Sequence, residues 1–223
     1  MGGFRNEAIN SAFDCGFINR IITHLTSSGK QMKSDCISTD NLLRNNEDDI
    51  TNRLTSVYLN AKSDDIFRYL PQSPEHFDSN TDHYIGRTDI QVISSNHFFQ
   101  DAKAYHIIEC KRIDGTHNLN NKYITEGVER FFSPAPKPKY SSYYRQNIMF
   151  GYVVESISIS DNAEKIDCLQ CTLLTGAVAS NFVLKNSDNS EYYDYKCDYV
   201  SDSIGKIELS HLFFDFSDAI CKN

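Results

Sequence analysis

The sequence predicts an α/β sandwich, and three observations carry that expectation. Segments with helical periodicity and segments with strand character follow one another as helix, strands, helix, strands, an order that suits layered α/β packing better than an all-β barrel. The 223 residues, 40% hydrophobic and 23% charged, suffice for one sizeable core. No internal repeat or low-complexity block interrupts them.

Residues 1–44 are polar, rich in Ser, Asn and Asp and weakly periodic. Only "AFDCGFINRIITHL" has helical character, so this part reads as a peripheral N-terminal helix followed by a long connection, and residues 45–223 as a single domain. "NNEDDITNRLTSVYLNA" is a stronger helix: Ile50, Leu54, Val57, Tyr58 and Ala61 recur at i, i+4, i+7, i+8 and i+11 on one face. Asn45 can cap it, and Glu47, Asp48 and Asp49 complement its dipole. "FRYLPQSPEHFDSNTDHYIG", with two prolines and several turn formers, reads as a loop. Strands follow near 85–94 and 104–113. "KYITEGVERFFS" then puts Ile124, Val128 and Phe131 on a helical face, which the prolines of "SPAPKPK" terminate. "NIMFGYVVESISI", "IDCLQCTLL", "SNFVLK", "EYYDYKCDYV" and "KIELSHLFFDF" read as later strands, with short helices as an alternative for some of them.

No run approaches the roughly 18 apolar residues that a membrane span needs, and "MGGFRNEAIN" has no apolar signal core. Asn6 also departs from the myristoylation pattern. The expectation is a cytoplasmic protein with no membrane partner. Seven scattered cysteines suit reduced thiols, and the single CxxC, Cys168 and Cys171, lacks further ligands at zinc-motif spacing. No Ser/His/Asp pattern, HExxH or Gly-rich phosphate loop is present.

The net charge of −8 is unevenly distributed. Eight basic residues between Lys103 and Arg145 (Lys103, Lys111, Arg112, Lys122, Arg130, Lys137, Lys139, Arg145) outweigh four acidic ones (Glu109, Asp114, Glu126, Glu129), so this segment carries +4 and the remainder −12. Local field steers a polyanion more than total charge does, although the same residues also suit a solvated face.

The chemistry concentrates in "GRTDIQVISSNHFFQDAKAYHIIECKRI", Gly86 to Ile113. Strand alternation projects Glu109 and Lys111 from one face, about 6–7 Å apart, and Ile108 and Cys110 from the other. Pairing with the preceding strand brings Asp89 beside Glu109. Two converging carboxylates with water access make a hard oxygen site suited to Mg²⁺, and the adjacent Lys can orient or deprotonate water. The acid-x-Lys tripeptide alone decides nothing, because it also occurs at Asp101–Lys103 and Asp194–Lys196. Only the copy at 109 has apolar strand flanks and an acid 20 residues upstream. A buried or rim salt bridge among Asp89, Glu109 and Lys111 is the alternative reading.

With "GRTDI" and "IIECKRI", and with the later "YITEGVERFF", "FGYVV" and "SHLFFDF", the chain resembles the PD-(D/E)XK nuclease superfamily, and within it a group of small bacterial members. The leading Pro of that signature is replaced by Thr88. The resemblance covers about residues 84–154, and 45–61 more loosely. It implies a restriction-endonuclease-like fold, with a mixed central β-sheet flanked by helices on both faces, and Mg²⁺-dependent hydrolysis of phosphodiester bonds, with DNA as the expected substrate and Mn²⁺ as a substitute ion.

By the same resemblance Asp89 and Glu109 ligate the metal with the Cys110 carbonyl, Lys111 acts on the attacking water, and Glu47 is a further candidate acid, alternatively a first-turn acid complementing the helix dipole. Arg87, Arg112, Lys122, Arg130, Lys137, Lys139 and Arg145 are candidate phosphate contacts. Tyr140, Tyr143 and Tyr144 beside Lys139 and Arg145 could stack on single strands, or simply pack. Bacterial defence against foreign DNA follows by analogy, with a homodimer or a partner protein from the same operon supplying specificity. The competing reading is a catalytically inactive nucleic-acid- or protein-binding module on the same fold.

Overall fold

A computed structural model describes residues 7–61, 66–94, 103–132, 139–140, 142, 144–188 and 191–222. Its centre is an eight-stranded mixed sheet in the order β1-β4-β5-β6-β10-β9-β7, with β8 also paired to β9. The strands are β1 (Phe67–Pro71), β4 (Ile90–Ser94), β5 (Tyr105–Ile113), β6 (Gln146–Val153), β7 (Val178–Ala179), β8 (Val183–Asp188), β9 (Tyr192–Ser201) and β10 (Gly205–Asp215). β6 runs parallel to both β5 and β10, and the other pairings are antiparallel. β2 (Pro74–Asp78) and β3 (His83–Arg87) form a separate hairpin.

Each face of the sheet is covered by helices. On one, α1 (Glu7–Ser38) and α2 (Glu47–Arg53) pack over Ile108, Cys110, Ile148, Phe150, Tyr152, Leu212 and Phe214. On the other, α3 (His117–Lys122) with its continuation, and α4 (Ile159–Leu173), cover Ile107, Met149, Leu209 and Phe213. Strand alternation thus divides β5 between two cores, as a strand buried on both faces requires. No helix among the described residues is long and apolar enough to cross a membrane.

Several expectations are corrected. The N-terminal helix is neither short nor peripheral: α1 runs 32 residues and buries Ile18, Ile21, Ile22, Leu25, Met32 and Cys36, a spacing that keeps one face inward through the polar "TSSGK". Gly29 lies against the Phe214 ring, about 3.1 Å from where a Cβ would stand. The cap of α2 is Asn46 rather than Asn45; its side chain accepts from the Asp49 N–H at 3.0 Å. Beyond Arg53 the helix widens into a π-helix, Leu54–Leu59, so the residue beneath Leu54 is Leu59, five positions on, and Val57 is exposed.

The segment read as a loop contains three strands. Its prolines are tolerated because Pro71 ends an edge strand and Pro74 begins a two-stranded hairpin. The single strand expected at 85–94 is broken at Thr88–Asp89, where backbone bonds go to Ser73 and Gln72 instead. "IDCLQCTLL" belongs to α4, whose Ile159, Ala163, Ile166 and Gln170 are buried at helical spacing. "SPAPK" and Lys137 lie outside the described residues.

Candidate functional site

The site forms where the start of β4, the second half of β5 and the N-terminus of α2 meet. β4 and β5 pair with Ile90 opposite Ile108, and Asp89, just before β4, meets the same Lys111 ammonium as Glu109. Asp89 accepts the Cys110 N–H at 2.7 Å. Glu47, the first residue of α2, accepts the Arg112 N–H at 3.0 Å through one oxygen. Arg112 is itself held by the Asn45 carbonyl and side chain, both at 2.8 Å. The connection after α1 is anchored by reciprocal backbone bonds of Leu43 with Ala219 and Cys221.

The Lys111 ammonium sits in the middle of these groups. Around its Nζ lie Glu47 Oε1 at 2.9 Å, Glu109 Oε1 at 3.0 Å, Asp89 Oδ2 at 3.7 Å and the Cys110 carbonyl oxygen at 2.8 Å. Gly127, in the π-helix Tyr123–Gly127 that continues α3, makes room for this arrangement: a Cβ there would stand 2.6 Å from Met149 Cε and 3.3 Å from Lys111 Cγ. Burial alone would lower the Lys111 pKa, but the carboxylates of Glu109, Asp89 and Glu47 outweigh it and hold the ammonium well above its ordinary value.

Glu109 differs from its expectation in one respect. The sequence predicts a carboxylate with water access, whereas the structure buries it completely. Arg130 donates to Oε1 at 2.5 Å, and the Tyr140 hydroxyl donates to the other oxygen. Burial, and then the neighbouring Asp89 charge, push the Glu109 pKa up to about 7 against the pull of Lys111 and Arg130. Tyr140, considered in the sequence as a stacking residue, is therefore a partner of the candidate acid. Arg130, a candidate phosphate contact, is committed to Glu109 while also lining the cleft outside.

That cleft, of about 470 Å³, is lined by Glu47, Asp48, Asp89, Lys111 and a set of further cations: Arg87, Arg112, Lys122, Arg130 and Lys139. Five of the seven basic residues singled out in the sequence thus border one opening. Arg145 is exposed elsewhere, with its carbonyl accepting the Glu208 N–H, and Lys137 is outside the described residues. Arg87 also lies 3.8 Å from Asp48. Gly86 brings the β2–β3 hairpin against the cleft wall, because the Lys139 carbonyl occupies the space a Cβ would need.

Among the described residues no group of three His, Cys, Asp or Glu side chains is spaced to hold a metal ion. The carboxylates are set apart by the ammonium they surround. The donor chemistry nevertheless fits a hard divalent cation: three carboxylate oxygens and a carbonyl gather about a single point, at ammonium rather than Mg²⁺ distances. Cys168 and Cys171 are free and exposed on α4.

Elsewhere a buried polar chain links Tyr123, His211, Tyr199 and Gln170, and burial pushes the His211 pKa down to about 3. This is the satisfied core histidine that its position on an apolar strand predicts. Comparisons with protein-family models, with curated proteins and with solved structures give no match.

Proposed function

We propose that the protein is a divalent-metal-dependent nuclease on a restriction-endonuclease-like fold, hydrolysing phosphodiester bonds in DNA at the cleft beside Lys111. The observation that carries this reading is the convergence of Asp89, Glu109, Glu47 and the Cys110 carbonyl on one cation position at the floor of a cation-lined cleft. A bound Mg²⁺ or Mn²⁺ supplies an acidified water and charge neutralisation at phosphorus. Asp89, Glu109, Glu47 and the Cys110 carbonyl would hold it.

The chain's own residues do the rest. Arg87, Arg112, Lys122 and Lys139 hold the flanking phosphates in the cleft. Lys111, displaced from among the carboxylates by the ion but still at the floor of the cleft, orients water and donates hydrogen bonds. Arg130 and Tyr140 fix the Glu109 carboxylate against the strand.

The burial of Glu109 under Arg130 and Tyr140 favours a second reading, an inactive binding module on the same fold. Incubating the purified chain with plasmid, linear duplex and single-stranded DNA, in Mg²⁺ or Mn²⁺ and in EDTA, separates them. Metal-dependent cleavage that Glu109→Ala abolishes supports the nuclease. Absence of cleavage on every substrate, or equal cleavage by Glu109→Ala, excludes it.

A further inference from the structure

Between β1, which ends at Pro71, and the β2–β3 hairpin, which begins at Pro74, the chain turns at Gln72. The φ of Gln72 is +49°, in the left-handed region where an L side chain is strained. Two backbone bonds fix the turn: the Gln72 N–H donates to the Asp89 carbonyl at 2.8 Å, and the Thr88 N–H donates to the Ser73 carbonyl at 3.0 Å. Glycine adopts this conformation without strain and asparagine with less of it, so the turn by itself does not call for glutamine.

The side chain supplies a reason. Its amide donates to Asp48 Oδ1 at 3.3 Å and accepts from Arg87 Nη1 at 3.4 Å, while Arg87 Nη2 lies 3.8 Å from the same Asp48 oxygen. An amide does both at once because it carries a donor and an acceptor; a carboxylate lacks the donor and an ammonium lacks the acceptor. Through its amide and its N–H, Gln72 joins three segments whose Asp48, Arg87 and Asp89 all border the cleft. The Arg87 and Asp48 side chains are 51% and 58% exposed, so that ion pair alone holds the long arginine weakly.

We propose that Gln72 is a positioning residue for the cleft, its amide bridge holding the Arg87 guanidinium in place for a nucleic-acid phosphate. The phosphate rests on the nuclease reading, and the bridge rests on the geometry of Gln72. Arg87 keeps further N–H groups for the phosphate, and fixing its rotamer in the empty cleft removes part of the ordering cost of binding. A left-handed residue that is neither Gly nor Asn fits a position kept for its amide.

The experiment takes the full chain in EDTA, reads binding of a labelled DNA duplex by fluorescence anisotropy, and melts each variant. Arg87→Ala is expected to weaken binding about eightfold near 0.1 M salt, the loss of one phosphate contact. Gln72→Gly keeps the backbone N–H and relieves the positive φ, so it is expected to weaken binding about threefold while Tm holds or rises. Gln72→Met, of similar length but without the amide, is expected to weaken binding to the same extent. Gln72→Gly combined with Arg87→Ala is expected to bind within about twofold of Arg87→Ala alone.

Wild-type affinity in both Gln72→Gly and Gln72→Met overturns the bridge. So does a loss in Gln72→Gly that adds in full to that of Arg87→Ala, or that comes with a lowered Tm, since either assigns Gln72 to the fold rather than to Arg87. Unchanged affinity in Arg87→Ala removes the phosphate contact and the proposal with it. A loss shared between Gln72 and Arg87, without metal-dependent cleavage of any substrate, leaves the bridge standing and removes the nuclease reading.

Discussion

Replacing Lys111 with methionine keeps the aliphatic stem against Gly127 and removes the charge around which four oxygens gather. Glu47 keeps the Arg112 N–H, Asp89 keeps the Cys110 N–H and Glu109 keeps Arg130, but three acids then share one committed cation. The lysine side chain is only 10% exposed, so the three acids lose a largely buried counter-ion. Removing one partner of such a buried set costs about 3–5 kcal/mol. At about 2–4 °C per kcal/mol for a chain of this size, Tm falls by roughly 6–20 °C. Protonation of Glu109, whose pKa already stands near 7, moves the loss toward the smaller figure in mildly acidic buffer.

The same substitution opens the position to a divalent ion. At about a hundredfold excess over Kd, Mg²⁺ or Mn²⁺ returns about 2.7 kcal/mol to Lys111→Met. The wild-type chain gains less, because the ion must first displace the ammonium. Calorimetric melting of both proteins in EDTA and in Mg²⁺ at matched ionic strength reads both effects. A variant that melts with the wild type, or Mg²⁺ shifts that are equal in the two proteins, refutes the reasoning.

Glu109 also predicts a pH dependence. Its pKa is raised from the ordinary 4.5 to about 7, so between those values the folded chain holds a proton that the unfolded chain has released, and stability falls as pH rises through that window, by up to about 3 kcal/mol. Urea unfolding across pH 4–8 should show this slope, reduced in Glu109→Gln. Asp194, buried on β9 with its pKa raised from 3.8 to about 7 by burial, adds to the slope with the same sign. Asp194→Asn should therefore stabilise by up to about 4 kcal/mol at pH 8 and change little below pH 4, checked by the same titration. Gly127→Ala should lower stability by about 1 kcal/mol, because the flexible Met149 terminus can yield while Lys111 is displaced. Duplex affinity should fall with rising salt, and Arg87→Ala, Lys122→Ala or Lys139→Ala should each reduce the log–log slope by about 0.9, measured by fluorescence anisotropy.

The core of the site was legible because its determinants are local. Glu109 and Lys111 alternate with Ile108 and Cys110, and the strand period alone assigns their faces. The meeting of Asp89 and Glu109 at Lys111 needs only an antiparallel neighbour in the right register. What failed depended on tertiary context. The polar residues after "AFDCGFINRIITHL" read as a long connection, yet Phe214 from the far end of the chain packs on Gly29 there. Pro71 and Pro74 read as loop markers, since nothing in the sequence says that the strands beside them are edges. Tyr140 joins Glu109 from 31 residues away, and no pattern marks that contact. The burial of Glu109 follows from Arg130 and Tyr140 closing over it.

Whether the oxygens around Lys111 accept a divalent ion is tested most directly by Mn²⁺ uptake, read from the loss of the free-ion paramagnetic resonance signal in the full chain and in Asp89→Asn. Uptake by the wild type that weakens at least tenfold in Asp89→Asn is the predicted result. Equal uptake by the two proteins, or none by either, contradicts a metal site at Asp89, Glu109, Glu47 and Cys110.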